Sequence, residues 1–68
     1  MIEVEVNQQR HSIEDGTTLE NLLVKLMPQG IVGIAVALND VVVPRSQWST
    51  THLVHNDKVL LIRATQGG

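Results

Sequence analysis

The 68-residue sequence contains no cysteine, no tyrosine and no phenylalanine, and Trp48 is its only aromatic residue. Without cysteine the chain can form neither a disulfide nor a thiol nucleophile, and it cannot carry a persulfide. Any sulfur chemistry must therefore use another atom. The length allows one small domain, whose core contributes only about 3 to 5 kcal/mol of net stability. We expect Trp48 to cover the edge of this core rather than to act mainly as a recognition anchor.

Positive charge is also scarce, since five Lys and Arg residues leave a formal net charge of −2. A surface that follows phosphates needs clustered cations, so we expect no nucleic-acid partner. The longest apolar run, IVGIAVAL, is far shorter than the roughly 20 residues that cross a bilayer, and we expect no membrane association. The first residues, MIEVEV, carry glutamates where a signal peptide is basic. These features predict a cytoplasmic protein.

Motifs of catalysis and nucleotide binding are absent from the sequence as well. Without a Gly-x-Ser-x-Gly motif or a glycine-rich phosphate loop, the chain is not expected to be a hydrolase or to bind ATP alone. His52 and His55 offer two nitrogen ligands, but a closed zinc site needs four. We therefore predict solvated loop histidines, no metal and no cofactor bound by this chain, and His11 has no partner that the sequence indicates. For Arg45 two interpretations stay open, a surface charge or an ion pair with an acidic partner or with the chain's own glutamates.

The first half of the sequence predicts a hairpin followed by a helix. Residues 2–6 alternate apolar and charged side chains, the period of a half-buried strand, and residues 10–13 predict a weaker returning strand. Thr17 and Glu20 have the spacing of a capping box. Pro28 disfavours helical backbone at the residue before it, so the helix should end near Leu26. One face of this helix carries four leucines at core spacing: Leu19, Leu22, Leu23 and Leu26.

The second half predicts three further strands. Two short strands flank Asn39 and Asp40, which tolerate the positive φ of a tight turn, and Pro44 ends the second of them. The segment RSQWSTTHL predicts an irregular loop pinned by Trp48 and Leu53. The final run, VLLI, is typical of a strand that is covered on both faces and central in its sheet. We predict the α+β class, with one helix packed on a mixed sheet of four to five strands.

The sequence ends in ATQGG, so two glycines precede the terminal carboxylate. Composition alone produces this ending in about one chain in two hundred, and a frayed end is the plain alternative. Extended, the four residues after Ala64 reach about 13 to 14 Å, and glycine brings no Cβ into a narrow channel. We predict a domain over residues 1–64 and a flexible tail over residues 65–68 that enters the active site of another enzyme.

The terminal carboxylate is ionised at neutral pH and is therefore a poor electrophile. Its attack on the α-phosphate of ATP would form a mixed anhydride with AMP, and a sulfur nucleophile could then displace AMP to leave a thiocarboxylate. Because the chain has no nucleotide-binding motif, a partner enzyme would bind the ATP. Such a protein needs no catalytic residue of its own, and we expect a carrier and not an enzyme.

The chain resembles the ThiS family of sulfur carriers, which have the ubiquitin-like β-grasp fold. The resemblance covers nearly the whole chain and is carried by the segments TLENLL, AVALN, VVVPRSQW and KVLLIRATQGG. Two turns differ from the family pattern, since NQQ stands where NG is usual and HND where DGD is usual. We expect Asn56 to adopt the left-handed conformation that a glycine would have there.

The resemblance implies that Gly68 is adenylylated by an enzyme of the ubiquitin-activating type and then converted to a thiocarboxylate. Gly67 and Gln66 would enter the partner's active site with it. A sulfur donor protein would supply the sulfur, and thiazole synthase would receive it during thiamine biosynthesis. The alternatives are a carrier for molybdopterin synthase, a tag conjugated to proteins, a ubiquitin-like interaction module with an inert terminus, and a small ligand-binding regulator.

Overall fold

A computed structural model describes residues 1–28, 30 and 33–63 of the chain. Within them, five strands form one mixed sheet in the order β2-β1-β5-β3-β4. β1 and β5 are parallel, and the other neighbouring strands are antiparallel. One α-helix and this sheet confirm the predicted α+β class, with the last strand at the centre as predicted. The elements are β1 (Ile2–Val6), β2 (Gln9–Ile13), α1 (Leu19–Leu26), β3 (Ile34–Leu38), β4 (Val41–Val42), a 3-10 helix (Arg45–Thr50) and β5 (Lys58–Arg63).

The core lies between α1 and one face of the sheet. Alternating residues of the inner strands point into it, because successive side chains of a strand face opposite ways. The predicted leucine stripe of α1 supplies the other layer, with Leu26 only partly buried at the end of the helix. The buried core residues are Val4, Val6, Ile13, Leu19, Leu22, Leu23, Val36, Trp48, Leu53 and Val59.

The N-terminus of α1 differs from the prediction by one residue. Thr18 is the N-cap, with extended backbone, and its Oγ1 accepts a hydrogen bond from the Asn21 N–H at 3.1 Å. The Thr17 hydroxyl instead donates to the Glu14 carbonyl at 2.6 Å, so it is not available to cap the helix. The predicted capping box between Thr17 and Glu20 is therefore wrong, whereas the predicted end of the helix at Leu26 is confirmed.

Two tight turns have the same backbone conformation. Asn7 and Gln8 join β1 to β2 with φ of 48° and 72°, and Asn39 and Asp40 join β3 to β4 with φ of 50° and 72°. Positive φ at both central residues is the type I′ geometry, whose twist matches that of the flanking strands. Asn56 has φ of 70°, which confirms the predicted left-handed residue before β5.

The prediction that β5 is covered on both faces is wrong. Val59 is buried, but Leu60 and Ile62 on the opposite face are 47% and 50% exposed. The described helices pack against one face only, so half of the apolar run has no layer above it. Apolar content alone therefore predicted the centre of the sheet correctly but not the coverage of its outer face.

The segment predicted to be irregular contains the 3-10 helix Arg45–Thr50. Gln47 N donates to the Pro44 carbonyl at 2.9 Å, and the Thr51 hydroxyl donates to the Gln47 carbonyl at 2.6 Å. These local hydrogen bonds take the place of the inter-strand hydrogen bonds that a β-strand would form. Trp48 and Leu53 are both buried to 2% exposure, so the segment is pinned as predicted, although Trp48 lies within the core rather than at its edge.

Candidate functional site

The residues predicted to react lie outside the described residues. Gly68, Gly67 and Gln66 all follow Arg63, the last described residue, and so does the predicted boundary between the domain and the tail after Ala64. Their roles stay predictions. What the structure describes is the strand that leads to them, β5, which ends at Arg63.

β5 is paired unequally on its two sides. β3 runs beside nearly its whole length, from Leu38 opposite Val59 to Ile34 opposite Arg63. The parallel register with β1 is much shorter and ends with Val6 opposite Val59. Among the described residues, the last residues of β5 therefore have a strand neighbour on the β3 side only.

Asn7 continues the pairing on the other side beyond the end of β1. Its backbone N–H donates to the Val59 carbonyl at 3.0 Å. Its side-chain Oδ1 accepts a hydrogen bond from the Leu61 N–H at 2.8 Å, and its Nδ2 lies 3.5 Å from the Leu61 carbonyl oxygen. A side-chain amide thus takes the place of the next peptide group of the ladder. The sequence indicated a turn at this asparagine but gave no sign of this contact.

Asn39, in the matching turn, binds the beginning of β5 in a similar way. Its Oδ1 accepts a hydrogen bond from the Lys58 N–H at 2.9 Å, and its Nδ2 donates to Asp57 Oδ1 at 2.9 Å. The other carboxylate oxygen of Asp57 accepts from the Val54 N–H at 2.8 Å. Asp57 is only 7% exposed, and both of its oxygens are occupied. Sequence reasoning missed this network because the three residues are brought together by the sheet.

The outer face of the sheet, opposite the core, carries an apolar patch on β5 and β4. We call Leu60, Ile62 and Val42 the outer patch. Ala37 lies directly opposite both Leu60 and Val42 in the register, so these side chains share one face. Val42 is 69% exposed, more than either patch residue of β5. The strand that leads to the tail therefore presents apolar side chains to solvent immediately before it.

The β1–β2 half of the same face is polar and charged. Arg10 forms an ion pair with Glu3 at 3.0 Å and donates at the same distance to Asn56 Oδ1. Glu5 lies opposite Lys58 across the parallel register. A depression of about 250 Å³ lies between the two halves and is lined by Glu5, Asn7, Gln8, Asp40, Lys58, Val59 and Leu60. The outer face is therefore charged on its β1–β2 side and apolar on its β5–β4 side.

The VPRSQW segment has a structural role that the sequence did not reveal. Val43 N donates to the Val36 carbonyl at 2.9 Å, which fixes the segment to β3. The Trp48 Nε1–H donates to the Val43 carbonyl, also at 2.9 Å, so the buried indole satisfies its polar atom within its own segment. The Arg45 guanidinium lies 5.8 Å from the centroid of the indole ring. Arg45 is exposed, as the surface-charge interpretation expects, and the cation–π contact is an additional interaction that the sequence did not indicate.

The histidines do not form a common site. In the described part of the chain, no three His, Asp or Glu side chains are grouped as metal ligands. His55 Nδ1 accepts a hydrogen bond from the Glu3 N–H at 3.1 Å. His52 is joined to Thr18, beside the helix N-terminus, by an isolated antiparallel β-bridge of the backbone. Over the same residues, no helix has the length and apolar character needed to span a bilayer.

Comparison with known proteins gives one consistent family. The model of the ThiS family matches residues 2–68. The sulfur carrier protein ThiS of Escherichia coli strain K12 is 36% identical over 62 residues, which are 91% of this chain and 92% of that protein.

A solved structure shows the same fold. The crystal structure of a thiamine biosynthesis protein (ThiS) from Geobacter metallireducens superposes with a TM-score of 0.84 and 22% sequence identity. The alignment covers 98% of this chain and 100% of that one. This likeness confirms the predicted ubiquitin-like β-grasp fold.

Proposed function

The chain belongs to the ThiS family, and from this premise we propose that it is a sulfur carrier protein of thiamine biosynthesis. The observation that carries the proposal is the 36% identity to a sulfur carrier over nearly the full length of both chains, together with the terminal Gly-Gly of the sequence. Because the chain has no cysteine, a sulfur that it carries would be bound at a carbon atom and not at a thiol.

The proposed chemistry takes place at the Gly68 carboxylate. One carboxylate oxygen attacks the α-phosphorus of ATP on a partner enzyme of the ubiquitin-activating type, and pyrophosphate leaves. The resulting acyl adenylate has AMP as a leaving group. Hydrosulfide, either free or released from the persulfide of a donor protein by a thiol reductant, then attacks the acyl carbon. AMP departs, one proton is released, and a thiocarboxylate remains for thiazole synthase.

The outer patch is the docking surface that we propose for the adenylylating enzyme. Ile62 precedes Gly68 by six residues, and an extended segment of that length spans about 20 Å. An enzyme that binds the end of the tail is therefore close enough to cover the patch. Leu60 and Ile62 are already held in a central strand, so their burial against a partner would require little further ordering.

Deletion of Gly68 tests the proposed reaction. We expect the wild-type chain, incubated with ATP, sulfide and a candidate adenylylating enzyme, to gain the single mass step of an oxygen-for-sulfur exchange. The chain without Gly68 should not be modified, because it would not place its terminal carboxylate at the α-phosphate. Intact-mass spectrometry measures the exchange, and circular dichroism checks that the shortened chain is folded.

Equal modification of the shortened chain would rule out Gly68 as the reacting residue. A matched control is Gly68→Ala, which keeps the length of the tail and adds one Cβ. If Gly68→Ala is still partly modified and the shortened chain is not, the length of the tail matters more than the absence of a Cβ at residue 68. Delivery of sulfur to molybdopterin synthase and not to thiazole synthase would assign the chain to the other pathway.

A further inference from the structure

The side chain of Asn7 makes the last contact with β5 on its β1 side within the described residues. Alternate residues of a strand direct their N–H and C=O groups to opposite sides. Val59 and Leu61 both face β1, and Asn7 pairs with both of them, first through its backbone and then through its carboxamide. Beyond Leu61, none of the described residues pairs with β5 on this side. Asn7 therefore supplies the last contact on that side before the strand ends at Arg63.

The residue type fits both demands of this position. Asn7 has φ of 48°, a conformation that asparagine tolerates better than most residues. Its carboxamide also has the acceptor and the donor of a peptide group. The 2.8 Å bond from the Leu61 N–H to Oδ1 is short and is the principal contact. The 3.5 Å approach of Nδ2 to the Leu61 carbonyl is at the limit of a hydrogen bond.

We propose that Asn7 is a positioning residue for the carrier reaction, which rests on the function proposed above. By extending the β1–β5 ladder one step, its side chain fixes the direction in which the chain leaves the sheet. A tail with a fixed starting direction loses less conformational freedom on entering a narrow active site. The contribution should therefore appear in the concentration of carrier that the partner needs, and not in the rate of the bound complex.

The test compares two glycine variants of the full-length chain. Asn7→Gly keeps the left-handed turn and removes the contact with Leu61. Asn39→Gly does the same in the matching turn, where φ is 50°, and removes the contacts with Lys58 and Asp57 at the other end of β5. Both variants lose side-chain hydrogen bonds to β5, but only Asn7→Gly loses them next to the tail.

For Asn7→Gly we expect the KM of adenylylation to rise about three- to tenfold, the range that corresponds to one hydrogen bond, while kcat stays within about twofold. Asn39→Gly should lower the denaturant midpoint yet leave KM within about twofold. Asn7→Asp keeps an oxygen that can accept a hydrogen bond from the Leu61 N–H, so its KM should stay close to the wild-type value. A KM that rises equally in both glycine variants, or that Asn7→Asp fails to restore, would overturn the positioning role.

Amide hydrogen exchange provides a second measurement that needs no partner. In the wild type the Leu61 amide should be protected from exchange, and Asn7→Gly should lose that protection selectively. Rapid exchange of Leu61 in the wild type would contradict the inference even if Asn7→Gly proved too unstable to assay. Failure of wild-type modification would count against the proposed function, whereas normal wild-type turnover with an unchanged KM in Asn7→Gly would remove only the role of Asn7.

Discussion

At the scale of single residues, the side chains that organise β5 are polar. Asp57 is nearly buried, and its two oxygens accept hydrogen bonds from Asn39 Nδ2 and from the Val54 N–H. The carboxylate therefore joins the β3–β4 turn to the segment that enters the central strand. A buried polar group stabilises a fold only while its partners are present, and loss of one partner costs the desolvation of the group left behind.

Asp57→Asn should lower the free energy of unfolding by about 1 to 3 kcal/mol. An asparagine has one oxygen and one NH₂ group, so one of the two donors would face another donor. Urea denaturation measures the effect, which we expect as a lower midpoint with an unchanged m-value. Asp40→Asn is the matched control, because it removes the same charge from an exposed turn residue whose φ of 72° asparagine tolerates. Equal losses in the two variants would mean that charge, and not the buried hydrogen bonds, is responsible.

At the scale of secondary-structure elements, the sequence predicts the buried faces of strands and helices, which follow a periodic pattern, more reliably than features that depend on individual hydrogen bonds. Alternation in residues 2–6 and the leucine stripe of α1 determine which faces are buried, and both predictions are confirmed. The cap of α1 was misplaced because Thr17 and Thr18 are chemically alike. Only the three-dimensional structure shows that the Thr17 hydroxyl donates to the Glu14 carbonyl, whereas the Thr18 hydroxyl accepts a hydrogen bond from the Asn21 N–H.

The two threonines can be distinguished by experiment. Thr18→Ala should destabilise the chain by about 0.5 to 2 kcal/mol, the usual loss for an N-cap hydroxyl. Thr17→Ala removes one exposed hydrogen bond and should cost about 0.5 kcal/mol or less. Thermal or urea unfolding of both variants, followed by circular dichroism, measures the difference. A larger loss of unfolding free energy for Thr17→Ala than for Thr18→Ala would mean that Thr17, as the sequence predicted, is the N-cap.

The candidate site was predictable in part for the same reason. The reacting residue was inferred from the Gly-Gly ending and the resemblance, and it stays a prediction. The contacts of Asn7 and Asn39 could not be inferred, because each joins residues that are far apart in sequence. Both asparagines had a sufficient local explanation in the positive φ of a turn, so nothing in the pattern called for a second role.

At the scale of the whole molecule, the two faces of the sheet differ in what their apolar side chains contact. The inner face uses its apolar side chains in the core. The outer face leaves Leu60, Ile62 and Val42 in solvent although the net stability available to so small a core is only about 3 to 5 kcal/mol. Apolar side chains grouped on an exposed surface are typical of a binding surface. Their position on the strand that precedes the proposed reacting residue supports the proposal that the adenylylating enzyme covers them.

The combined substitution of Leu60 and Ile62 by alanine tests this docking surface. Removing the apolar area that a partner would cover should raise the KM of adenylylation about tenfold. The denaturant midpoint should also fall, because both side chains are about half buried in the folded chain, so KM is measured under conditions in which circular dichroism shows the variant to be folded. Val24→Ala is the control, because Val24 is 56% exposed but lies on the helix and not on the sheet. A KM that is unchanged in the double variant, or that rises equally in Val24→Ala, would place the docking surface elsewhere.

The central position of β5 also sets when the molecule can fold during its synthesis. A ribosome releases β1, β2, β3 and β4 first, but β1 and β3 have no common neighbour until Lys58–Arg63 emerges between them. Isolated two-stranded hairpins are marginal in water. A nascent chain that has not yet reached Lys58 therefore cannot complete its sheet, and the strand that closes the fold is also the one that precedes the proposed reacting residue.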